Sequence, residues 1–123
     1  MTLRILVCGG RDYTDRQTVF DVLDRLHRDR GIACIIHGGA RGADMLAGEW
    51  AARAGIQVDR YPADWETYKH AAGPIRNQQM LDQGKPDGVV AFPGGRGTAD
   101  MKRRASAAGL GVWEPCGFQT VAP

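Results

Sequence analysis

An apolar run, a glycine-rich turn and the start of a helix-like stretch follow one another three times within 123 residues. The turns are Gly9-Gly10-Arg11-Asp12, Gly38-Gly39-Ala40-Arg41-Gly42-Ala43-Asp44 and Pro93-Gly94-Gly95-Arg96-Gly97-Thr98-Ala99-Asp100. Strands that pass through glycines straight into helices point to an alternating α/β fold, with a mostly parallel sheet between helical layers. The same local architecture holds phosphate, because bare backbone N–H groups point outward and the helix dipole adds positive potential. Three such turns on one edge of one sheet make a phosphorylated small molecule the default ligand.

The periodicity of the remaining chain supplies the elements. Residues 3–8 form an almost unbroken apolar run, as in a strand covered on both faces. Thr14 and Gln17 have capping-box spacing, and Val19, Val22, Leu23 and Leu26 then recur at three and four residues, predicting an amphipathic helix that ends near Gly31. Residues 32–37 read as a second strand and 43–54 as a second helix stopped by Gly55, while the more alternating 56–61 suits a strand near an edge. Residues 62–73 are irregular and carry Trp65, Tyr68, Lys69 and His70, which marks a lid or variable loop. Pro74 fits a first helical position before a helix over 75–83, ended by Gly84 and Pro86. A fourth strand over 88–92, a helix over 98–108 and a short fifth strand over 111–113 complete a Rossmann-like single domain of about five strands with helices on both faces. The domain is taken as residues 1–123, with 114–123 left unplaced.

Composition narrows the partners. The formal charge is +2, and basic residues are scattered among Asp and Glu, so long nucleic acid is not favoured. The one basic cluster, Lys102-Arg103-Arg104, reads as a solvated helix face. Cys8, Cys34 and Cys116 have neither CxxC spacing nor a His at ligand spacing, so free thiols, no metal and no cofactor are expected. No leader precedes the first strand and no apolar run approaches a membrane span, which makes a cytoplasmic protein without a membrane partner the expectation.

The candidate ligand residues lie in the turns. Gly9 and Gly10 serve either close phosphate approach or a tight turn, whereas Gly94, Gly95 and Gly97 favour phosphate because Thr98 adds a hydroxyl at the helix start. Gly38, Gly39 and Gly42 offer the same in the second turn. Arg11, Arg41, Arg76 and Arg96 lie in or beside this edge, and a guanidinium is a planar, permanently charged fork suited to phosphate. Arg76 opens a polar run, Arg76-Asn77-Gln78-Gln79, that a purely core-packing helix would not need. Asp44 and Asp100 either ride on the helix dipole or contact a ribose hydroxyl. His37 fits a satisfied buried histidine better than a catalytic one. Trp65 and Tyr68 either pack the loop or stack on a base.

At these residues the chain resembles the SLOG superfamily, which includes the LOG phosphoribohydrolases, and more narrowly its YspA-related branch. The resemblance runs from Leu3 to about Gly111, and its most specific piece is Pro93-Gly94-Gly95-Arg96-Gly97-Thr98, similar to the proline-diglycine-x-glycine-threonine signature. The segments 37–44 and Gly73-Pro74-Ile75-Arg76-Asn77 look like the smaller branch. The resemblance implies a Rossmann-like fold that binds nucleotides or their derivatives, such as a nucleoside monophosphate or an ADP-ribose-like molecule, as a sensor or binding module. It also suggests a homodimer. The alternative it implies is a nucleoside 5′-monophosphate phosphoribohydrolase, an N-glycosidase using an arginine and a glutamate. Arg76 lies where that arginine falls, but Asn77 replaces the neighbouring lysine and Met101 occupies the glutamate position. Asp100 stands one residue earlier, about 100 degrees around a helix, and is the catalytic candidate with Arg76 if the chain is an enzyme.

Overall fold

The computed structural model describes residues 2–116. Its centre is a five-stranded, all-parallel sheet in the order β3-β2-β1-β4-β5, built from β1 (Leu3–Cys8), β2 (Ile32–His37), β3 (Gln57–Arg60), β4 (Gly88–Ala91) and β5 (Gly111–Trp113). Helices α1 (Arg16–Arg30), α2 (Ala43–Ala54), α4 (Ala72–Gly84) and α5 (Arg96–Ala107) make the connections, and the short α3 (Trp65–Tyr68) runs into a single 3₁₀ turn.

Alternation along the strands divides the core between two faces. Ile5, Val7, Ile35, Val90 and Phe92 point to one side, where Val19 and Leu23 of α1 and Ala43, Ala47 and Trp50 of α2 cover them. Leu6, Cys8, Cys34, Ile36, Val89 and Ala91 point to the other, beneath Met80 and Leu81 of α4 and Met101 and Ala105 of α5. Trp50 reconciles its indole N–H with burial by donating to Asp24 Oδ1 at 2.8 Å, which ties α2 to α1. At the edge of the sheet where β1 begins, Arg4 clamps three elements. Its guanidinium donates to the Gly84 carbonyl at the end of α4 and to Asp59 Oδ2 in β3.

Several boundaries move by a residue or three for local reasons. Helix α1 is capped by Asp15, whose carboxylate accepts from the Thr18 amide and hydroxyl, so Thr14 and Gln17 form no capping box. Helix α4 begins at Ala72, which places Pro74 third in the helix, where a missing N–H is still costless. The irregular stretch before it folds into α3, capped by Asp64 through the Thr67 amide. Of the unplaced tail, Glu114 Oε1 accepts from Lys102 Nζ at 2.9 Å and Cys116 Sγ lies 4.0 Å from the Tyr13 hydroxyl. Residues 117–123 lie outside the described residues.

Gly42 and Gly55 both have positive φ, at 82° and 72°, but their surroundings differ. A Cβ at Gly55 meets nothing within 4 Å, whereas at Gly42 it would strike the Gly10 and Arg11 carbonyls. Gly55→Ala should therefore cost about 1–2 kcal/mol in urea unfolding, the strain of a left-handed residue. Gly42→Ala should cost measurably more, because the loop after β1 must also move away.

Candidate functional site

The loops after β1 and β4 meet above adjacent strands. They are held together by the Gly10 amide donating to the Pro93 carbonyl at 2.8 Å. Glycine makes this contact possible: a Cβ at Gly10 would lie 3.0 Å from the Pro93 oxygen, and one at Gly94 would lie 2.7 Å from the Gly10 nitrogen. From here the β1 loop leads to α1 on one face of the sheet and the β4 loop to α5 on the other. The crevice between them is a cavity of about 780 Å³.

The cavity gathers most of the residues singled out in the sequence. Gly9, Gly10 and Arg11 come from the first loop, Asp44 from the start of α2, and Arg76 and Asn77 from α4. Gly95, Arg96, Gly97, Thr98 and Asp100 come from the start of α5. Gly38, Gly39 and Arg41 line a neighbouring recess of about 320 Å³ instead, with Arg11, Trp65 and Arg76 in the walls of both. Gly42 and Gly94 serve the packing behind the loops. The apolar floor, made by Val7, Cys8 and Met80, was not foreseen as part of a site, because each reads equally well as core. His70, Gly73 and Arg103 are further additions to the wall.

The second glycine turn is closed upon itself. Asp44 Oδ2 accepts from the Gly38 and Ala40 amides at 3.0 and 3.2 Å, and His37 Nδ1 accepts from the Gly39 amide at 2.9 Å. These N–H groups are therefore committed inside the protein. Burial pushes Asp44 up to about 6, opposed by the Ala40 amide, the Arg76 charge and the Gly38 amide. Burial likewise pushes His37 down to about 4, helped by the charges of Arg60 and Arg76, so the imidazole is neutral at pH 7. The other Asp44 oxygen, Oδ1, makes no hydrogen bond among the described residues.

Arg76 rests on this turn. Its Nη1 donates to the Gly38 carbonyl at 2.6 Å and its Nε to Asn77 Oδ1 at 3.1 Å. A Cβ at Gly38 would collide with that guanidinium. Burial lowers the Arg76 pKa, with Asp44 opposing the shift and Arg11 adding to it, yet the group remains a cation. Asn77 is buried and donates to the Gly97 carbonyl and to Asp100 Oδ2, fastening α4 to the start of α5.

Asp100 is fully engaged. Oδ1 accepts from Arg103 Nη2 at 2.9 Å, and Oδ2 accepts from Arg104 Nε at 2.8 Å and from Asn77. Burial favours its neutral form, but the donors from Arg104 and Asn77 outweigh burial and hold the carboxyl below its ordinary range. The Lys102-Arg103-Arg104 run is thus in use, with Arg104 also reaching Gln78 Oε1. Met101 is buried in the core against the sheet.

The third turn behaves differently from the second. Among the described residues, none of the amides of Gly94, Gly95, Arg96, Gly97 and Thr98 donates to a backbone or side-chain acceptor; the first bond of α5 runs from Ala99 to the Gly95 carbonyl. The Thr98 hydroxyl also has no partner among them. Above the cavity, the Arg11 guanidinium lies 5.4 Å from the centre of the Trp65 ring, which is 48% exposed. The described residues contain no group of three or more His, Cys, Asp or Glu placed to hold a metal ion. No described helix is long and apolar enough to cross a membrane.

The buried pair His37 and Asp44 sets an acid response of known sign. His37, lowered from 6.5 to about 4, leaves the unfolded chain with more bound protons in that interval, so its stabilising contribution is lost as pH falls. Asp44, raised from 3.8 to about 6, works in the opposite sense, its contribution growing as pH falls through the same range. Asp44→Asn removes the opposing member. Its unfolding free energy should fall more steeply than that of the unaltered protein between pH 6.5 and 4.5, as measured by urea titration.

A sequence model of the YspA, cpYpsA-related SLOG family matches residues 3–68, from β1 through α3. The "Gene 61 protein" of Mycobacterium phage D29 is 43% identical over 117 aligned residues, which cover 89% of this chain and 93% of that protein. No solved structure matches. By the extent of both matches, the chain belongs to the YspA, cpYpsA-related SLOG family.

Proposed function

We propose that the protein is a binding module for a nucleotide or nucleotide derivative, with a phosphate on the turn between β4 and α5. The observation that carries this reading is the run of amides from Gly94 to Thr98, without acceptors among the described residues, beside a cavity that Arg11, Arg76 and Arg96 also line. Consecutive unpaired N–H groups at a helix start are matched to an anion by hydrogen bonding and dipole alike. Membership of the family supports a nucleotide-related ligand.

Gly95 and Gly97 support the same turn by elimination. Neither has positive φ and a Cβ on either would meet nothing within 4 Å, so packing does not ask for glycine there, and at Gly97, inside the helix, the backbone does not either. What their bareness provides is approach to the amides. The free Asp44 Oδ1 suits a ribose hydroxyl, and the apolar floor together with Trp65 suits a base. The volume of the cavity falls within the range of small-molecule sites.

The alternative, a nucleoside 5′-monophosphate phosphoribohydrolase, needs a carboxylate able to stabilise an oxocarbenium ion or activate water. Asp100 has both oxygens engaged by Arg103, Arg104 and Asn77, and Met101 is buried, so the binding reading is preferred.

Thermal unfolding with and without adenosine 5′-monophosphate tests the proposal. At about a hundred times the dissociation constant the nucleotide should add about 2.7 kcal/mol of stability. Gly97→Ala should fold at least as stably as the unaltered protein, by up to about 1 kcal/mol, because alanine suits a helix better. It should nevertheless lose the nucleotide shift. Retention of the full shift in Gly97→Ala would remove this turn from the site, and release of free adenine during incubation would replace binding by hydrolysis.

A further inference from the structure

We infer that the ligand carries a second, separate anionic group, a phosphoryl on the far side of its sugar, and that this group lies in the recess beside the cavity. The inference rests on the phosphate site proposed above and deepens it. Arg11, Arg41 and Arg76 line the recess, around the Gly38–Arg41 loop. Arg60 does not line it but packs against the loop, where a Cβ on Gly39 would lie 2.6 Å from its Nε, and its charge adds to theirs.

This positive charge is poorly compensated. Arg41 has an ion pair with Asp12 at 3.3 Å, but both side chains are largely solvated, at 75% and 95% exposure, where such a pair contributes little. Asp44 lies beneath the loop with one oxygen occupied by its amides. Arg11 and Arg60 form no ion pair among the described residues, and Arg11 works against Arg76 as a like charge. The amides of Gly38, Gly39 and Ala40 are already taken, so an anion here would be held chiefly by the guanidinium groups, which bind phosphoryl oxygens through paired donors.

Topology separates the two anion sites. One stands over the end of β4 and the other over the end of β2, with β1 between them. Two strand spacings amount to about 10 Å. Adjacent phosphates of a pyrophosphate share a bridging oxygen and cannot occupy both places, whereas phosphoryl groups on opposite sides of a ribose can approach that span. Arg11, Trp65 and Arg76 line both cavity and recess, so the two depressions adjoin along these side chains. The class is therefore a nucleoside bisphosphate or a linear dinucleotide, in preference to a monophosphate.

Calorimetric titration with adenosine 5′-monophosphate, adenosine 5′-diphosphate and adenosine 3′,5′-bisphosphate distinguishes these. The bisphosphate should bind at least about tenfold more tightly than the monophosphate, equivalent to about 1.4 kcal/mol, and the diphosphate should gain less. The double variant Arg41→Ala, Arg60→Ala should erase the advantage while leaving monophosphate affinity within about twofold. If the monophosphate binds and the bisphosphate gains nothing, or gains as much in the double variant, the second site is overturned and the first stands. If none of the three binds, both fall.

Discussion

The cavity exists because the chain leaves β1 and β4 in opposite directions. The two strands are neighbours in the sheet, yet the first hands over to a helix on one face and the second to a helix on the other. Loops that diverge in this way leave a crevice above the strand ends, the position where open parallel sheets place their ligands. Everything chemical in the protein follows from that reversal. Gly9, Gly10 and Gly94 let the diverging loops touch at their base, and the Gly10 to Pro93 hydrogen bond keeps them in register.

The two longer glycine turns resemble each other in sequence and differ in what they do with their N–H groups. In the turn after β2, the carboxylate of Asp44 curls back and accepts from the loop, so the protein supplies its own anion. In the turn after β4, the corresponding carboxylate, Asp100, is drawn outward by Arg103, Arg104 and Asn77, and the amides are left without an internal acceptor. Similar residues at similar offsets thus give one loop whose first three amides are satisfied internally and one whose amides have no acceptor among the described residues. The cause lies in where each helix starts: Asp44 is the second residue of α2 and reaches back to the loop, whereas Asp100 is the fifth residue of α5.

Much of the fold was legible in the sequence because burial on both faces of a parallel sheet gives continuous apolar runs, and glycines mark the passages out of them. β1, β2, α2 and β5 follow from that pattern to the residue. The start of α1 did not, since Asp15 competes with Thr14 for the cap, and which one wins depends on the path of the preceding loop. At the site, the convergence of the β1 and β4 loops on one cavity could be anticipated, while the roles of individual side chains could not. Asn77 and Asp100 look like ligand groups by type and location, but α4 and α5 pack closely enough for them to be spent on each other. The floor residues Val7, Cys8 and Met80 carry no signal separating a cavity surface from an ordinary core.

Helix α4 carries Arg76 and Asn77 near its start and is fastened at its other end. Gly84 sits so close to Ile36 that an added Cβ would lie 3.3 Å from its side chain, and the Gly84 carbonyl takes two donors from Arg4. Near its start the same helix is tied down again, by Asn77 to the Gly97 carbonyl and Asp100 and by Arg76 to the Gly38 carbonyl, so the wall shared by the two depressions stands on a support held at both ends.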